Sequence, residues 1–121
     1  MYTEKNLVAL LKTLGMPLGL KGYRLVKEAV RILHEHGGYI PTGELITLAG
    51  EKFDSTFRQA ERCIREAIRQ SVANADFDTL KLVFGNSINP NYNIKPTDYV
   101  SGLYEYCTYH DVEKEIAEGL I

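Results

Sequence analysis

The sequence predicts an all-α fold: a compact domain of six to seven helices containing a helix-turn-helix. Three observations carry this. Apolar residues recur at three- and four-residue intervals through most of the 121 positions, the period of a helix with one buried stripe. No segment sustains the strict alternation of a half-buried strand. Glycine, proline and asparagine gather between the periodic segments, where they interrupt helices.

The elements follow in order. Leu7, Leu10, Leu11 and Leu14 define a first helix over residues 3–14, ended by Gly15 with Pro17 beyond it. A second helix, 22–36, has Leu25, Val26, Ala29, Ile32 and Leu33 as its apolar stripe. Lys27, Glu28, Arg31 and Glu35 are expected on its wet side, and Gly37-Gly38 stops it. Thr42 is the expected N-cap of a third helix, 43–53, with Leu45, Ile46, Leu48, Ala49 and Phe53 facing inward. After the polar break Asp54-Ser55-Thr56 comes the most regular helix of the chain, 56–74. Asp76 caps a fifth helix, 77–84, closed by Gly85; residues 86–95 read as a loop. Pro96 at a first helical position starts a sixth, 96–106, and a last helix spans 111–118 with Asp111, Glu113, Glu115 and Glu118.

Composition narrows the function classes. Hydrophobic residues make up 45% and charged residues 25%, the balance of a globular chain rather than a disordered one. No apolar run reaches the roughly 18 residues of a membrane helix, and the N-terminus has no secretory pattern, so a cytoplasmic protein is expected. Cys63 and Cys107, far apart and without CxxC spacing, read as small core residues. The net charge of −2 is unevenly spread. Residues 1–71 hold eleven basic and eight acidic side chains, a balance of +3; residues 72–121 hold three and eight, a balance of −5. One part can face an anion while the other faces water.

Residues 43–71 carry the functional signal. Helix, short turn, helix is the layout in which the second helix lies in the DNA major groove. On the second helix Arg58, Arg62, Arg65 and Arg69 are spaced 4-3-4, within a band of roughly 60° at about 100° per residue. Phe57, Ala60, Ile64, Ala67, Ile68 and Ser71 occupy the opposite side and are expected to pack. The planar guanidinium fork meets guanine O6 and N7 and also clamps phosphate. Near the N-terminal end, Glu61 can accept from a cytosine amino group and Gln59 can pair with adenine. The same stripe also fits a merely solvated face, with ordinary surface pairs such as Glu61–Arg65, or an acidic protein partner. The pattern alone leaves these three readings open.

Three stretches add a resemblance. They are Leu14-Gly15-Met16-Pro17 through Leu20-Lys21-Gly22-Tyr23 with Glu28-Ala29 following; Lys52-Phe53 before the turn and Glu61-Arg62-Cys63-Ile64-Arg65-Glu66-Ala67-Ile68 after it; and Leu82-Val83-Phe84-Gly85 with Lys95-Pro96-Thr97 downstream. In order and spacing the chain resembles, from about Asn6 to Cys107, the C-terminal DNA-binding effector domain of the stage-zero sporulation protein A family. The resemblance implies a six-helix fold, a transcription-regulating role and head-to-tail pairing of domains on repeated sites. It also implies base contacts from Glu61, Arg62 and Arg65. Full-length family members carry a phosphoacceptor receiver domain in front; these 121 residues contain none. Gln59 stands where the family usually has arginine, Glu51 where it has lysine and Glu66 where it often has histidine, each lowering positive charge near the expected backbone.

The resulting expectation is a sequence-specific regulator of double-stranded DNA. Residues 1–107 form a helix-turn-helix effector-like domain and 108–121 an acidic helical tail. The recognition helix is about 56–71. Gln59, Glu61, Arg62 and Arg65 meet bases; Lys52, Thr56, Arg58 and Arg69 meet phosphates. The alternative is a protein-interaction module, or an antagonist of a related full-length regulator. No catalytic residue, metal, cofactor or small-molecule ligand is expected. His34 and His36 point to opposite sides of one helix, no lysine-bearing phosphate loop occurs, and no serine sits in a nucleophile elbow. The tyrosines Tyr92, Tyr99, Tyr104, Tyr106 and Tyr109 are expected to pack in a core or interface.

Overall fold

The apolar stripes become the buried sides of helices in a computed structural model that describes residues 1–88 and 93–121. The elements are α1 (Glu4–Thr13), α2 (Lys21–Glu35), α3 (Thr42–Lys52), α4 (Phe57–Asn74), α5 (Phe77–Phe84), α6 (Pro96–Tyr109) and α7 (Val112–Ala117), with one 3-10 turn at Gly85–Ser87. The described residues contain no strand, so the all-α class holds. Of the expected 86–95 loop and the expected packing tyrosines, residues 89–92, including Tyr92, lie outside the described residues.

The helix ends show why the elements stop where they do. α1 closes with Met16 N–H donating to the Leu11 carbonyl and Gly15 N–H to that of Lys12, with Gly15 at φ +69°. This is a Schellman cap, which needs a left-handed residue at its turn. α2 ends the same way through Gly37 and Gly38. α3 does too, but with Asp54 as the left-handed residue at φ +52°. The turn of the helix-turn-helix is therefore a Schellman cap closed by an aspartate.

α2 is the central element. It packs against α1, α3, α4 and α6, and α6 in turn touches α1, α4 and α5. The α2–α4 crossing is very close: a Cβ on Gly22 would lie 2.2 Å from the Cys63 carbonyl oxygen and 2.6 Å from the Ala67 Cβ. A buried polar junction fastens α4 at its other end. Ser71 Oγ donates to the Leu14 carbonyl at 2.7 Å and lies 2.7 Å from the Tyr99 hydroxyl. Ser71, Leu14 and Tyr99 are all fully buried.

Several expectations change. Pro41, not Thr42, is the N-cap of α3; the Thr42 hydroxyl instead bonds that of Thr97 across the fold at 2.7 Å. Glu28 is buried rather than wet, because Arg31 and Lys52 cover it. Phe57 is 41% exposed, since the buried band of α4 begins only at Ala60. Cys107 is buried as expected, and Cys63 is half-buried. Tyr99 and Tyr106 are buried and Tyr104 packs on the core, but Tyr109 is exposed. α6 continues to Tyr109 and α7 packs on α1 through the buried Val112. Tyr106 stacks on His110 with ring centroids 3.9 Å apart, and both side chains bond Glu115.

Candidate nucleic-acid interface

The site is built on α3, its capped turn and α4. Gly50 lets the two helices meet, because a Cβ there would lie 2.9 Å from the Ser55 carbonyl oxygen and 3.2 Å from the Ala60 Cβ. Ala60, Ile64, Ala67, Ile68 and Ser71 then anchor one side of α4 in the core. That anchoring turns Arg58, Arg62, Arg65 and Arg69 outward, and all four are exposed.

The start of α4 is held by a capping box. Thr56 Oγ1 accepts from Gln59 N–H at 3.2 Å, and Gln59 Oε1 accepts from Thr56 N–H at 3.1 Å. The Gln59 carbonyl oxygen is thereby occupied, which leaves its amide NH2 for a ligand. The Thr56 hydroxyl keeps its own proton to donate. The Thr-x-x-Gln spacing is a readable sign of this box. The N-terminus of α4, with its partial positive charge, stands exposed beside Arg58.

The four arginines are not equivalent. Arg65 Nε lies 3.7 Å from Glu61 Oε1, a loose pair. Arg69 is gripped by Glu66, with Nε to Oε2 at 2.9 Å and Nη2 to Oε1 at 2.5 Å. Gln70 also donates to Glu66, at 3.1 Å. The Arg69 and Gln70 hydrogen bonds hold the Glu66 carboxyl well below its usual range, at about 2. Among the described residues, Arg58 and Arg62 have no carboxylate within 4.0 Å.

Lys52 sits on the last turn of α3, with its side chain 57% exposed. Its Nζ is 2.9 Å from Glu28 Oε2, and Arg31 bonds the same carboxylate. Burial pushes the Glu28 carboxyl up, but the Arg31 and Lys52 hydrogen bonds outweigh it, so the group stays below the ordinary carboxylate range. Glu28 thus ties α2 to the end of α3. Its spacing on α2 reads as a solvated position, so its role was hidden in the sequence.

The family model described as Sporulation initiation factor Spo0A C terminal matches residues 7–104, which include the whole of this interface. The chain belongs to this family. It is a DNA-binding regulatory family rather than an enzyme family, and the matched region runs from α1 into α6. α7 lies outside the match. No helix among the described residues is long and apolar enough to cross a membrane.

Proposed function

We propose that this domain binds double-stranded DNA sequence-specifically and regulates transcription, with α4 in the major groove. The observation that carries this reading is the exposed arginine face of α4, held outward by a buried opposite face and presented after a rigid, capped turn. Arg62 is free to read a base edge. Arg65 is only loosely held by Glu61, so both can turn to the groove. Glu61 and the Gln59 amide add one acceptor and one donor near the helix start. Thr56 and Arg58 meet phosphates, joined by Lys52 and Arg69 to the extent that Glu28 and Glu66 release them. Repeated sites would be filled by domains paired head to tail, as family membership supports.

A second reading, a protein-interaction module, draws on one observation: α4 carries its own carboxylates beside two of its four arginines, so this face presents both signs of charge and not a uniformly basic surface. Anisotropy binding to a randomised duplex pool, with sequencing of the bound fraction, separates the two. The regulator reading expects an enriched motif, with Arg62→Ala and Arg65→Ala each costing about 1–3 kcal/mol on it. Motif-free binding that vanishes at moderate salt would instead favour the interaction module.

A further inference from the structure

We propose that Glu66 competes with the DNA backbone for Arg69 and so sets the strength and salt dependence of binding. This inference rests on the DNA-binding reading above. Glu66 lies one turn from Arg62 and three residues before Arg69, beside the arginine face. Both Glu66 oxygens are engaged by Arg69, and Gln70 braces one of them. The grip uses the bidentate geometry by which arginine would otherwise clamp a phosphate. A phosphate approaching Arg69 must therefore displace an intramolecular carboxylate and tolerate its charge. The Glu61–Arg65 pair, at 3.7 Å through one nitrogen, imposes no such barrier. The two carboxylates of α4 thus act differently: Glu61 leaves its arginine available, and Glu66 withholds its own.

The pair is exposed on both sides, with 68% of the Arg69 and 47% of the Glu66 side chain accessible. Exposed pairs contribute little to folding, so Glu66→Gln should leave the thermal midpoint essentially unchanged while altering DNA binding. Each phosphate contact adds about 0.9 to the magnitude of the slope of log K against log salt, or about eightfold in affinity at 0.1 M salt.

The test measures anisotropy of a labelled duplex of arbitrary sequence with the full chain, from about 50 to 200 mM salt. Four proteins are compared: parent, Glu66→Gln, Arg69→Ala and the double variant. Glu66→Gln should bind about eightfold more tightly at 0.1 M salt, with a slope steeper by about 0.9. Arg69→Ala, which leaves the Glu66 charge unpaired, should bind more weakly than the parent, and the gain from Glu66→Gln should be clearly smaller when Arg69 is alanine. An equal gain in the Arg69→Ala background would overturn the inference, because Glu66 would then act only as a general negative charge. So would the absence of any gain from Glu66→Gln when the parent itself binds the duplex. If neither the parent nor Glu66→Gln binds any duplex, the DNA-binding reading falls as well.

Discussion

Replacing Ser71 by alanine tests the junction that holds α4 in place. The serine hydroxyl has one proton, which goes to the Leu14 carbonyl at 2.7 Å. The Tyr99 hydroxyl, also at 2.7 Å, must therefore donate to Ser71 Oγ. All three groups are buried, so no water replaces a lost partner. Alanine at 71 orphans a carbonyl and a phenol together, at about 1–3 kcal/mol each, giving about 2–6 kcal/mol in all. For a domain of this size the thermal midpoint should fall by about 10–20 °C. Tyr99→Phe should cost only about 1 kcal/mol, because Ser71 still donates to Leu14. The double variant should be less destabilised than the sum of the two, since alanine then orphans only the carbonyl. Urea titrations followed by circular dichroism and tyrosine fluorescence give these values, and an unchanged m-value checks that the unfolded state is the same. A Ser71→Ala cost below about 0.5 kcal/mol, or strict additivity, would refute the hydrogen-bond assignment.

Further expectations concern the crossing, the turn and the buried carboxylate. Gly22→Ala should destabilise by about 1–3 kcal/mol or more, because its Cβ meets backbone at 2.2 Å; near-parental stability in urea would mean that α2 and α4 can separate freely. Asp54→Gly should stabilise by about 0.5–1 kcal/mol and Asp54→Val destabilise by about 1–2 kcal/mol, since position 54 is left-handed; equal midpoints for the two would contradict the Schellman assignment. Glu28 has a lowered folded pKa, so its stabilisation is complete above the unfolded value of about 4.3 and is lost as pH falls through the folded one. Urea midpoints between about pH 5 and 3 should therefore decline more steeply in the parent than in Glu28→Gln, and parallel declines would remove Glu28 from the acid response.

The arginine face was legible because it rests on local geometry. A 4-3-4 spacing places four side chains on one side of any helix, and the apolar residues opposite decide which side turns outward. The all-α class, the ends of α1 and α2, the Asp76 cap and the start of α6 were readable for the same reason: each depends on residues within a turn or two. The capping box at Thr56 was also readable in principle, from Thr-x-x-Gln.

The partners of charged and polar groups were not legible, because pairing depends on side chains far apart in the chain. Glu28 looks solvated on α2 until Lys52 arrives from α3 and buries it. Thr42 looks like a cap until Thr97 takes its hydroxyl. Sequence spacing allows Glu66 to reach either Arg62 or Arg69, and only the folded helix shows that Arg69 takes both oxygens. By itself the sequence determined the helices, the face that α4 presents and the family resemblance, all set by short-range periodicity and motif order. Tertiary structure alone decided which cations remain free, because that depends on desolvation and on contacts made only when α2, α3, α4 and α6 close around one core.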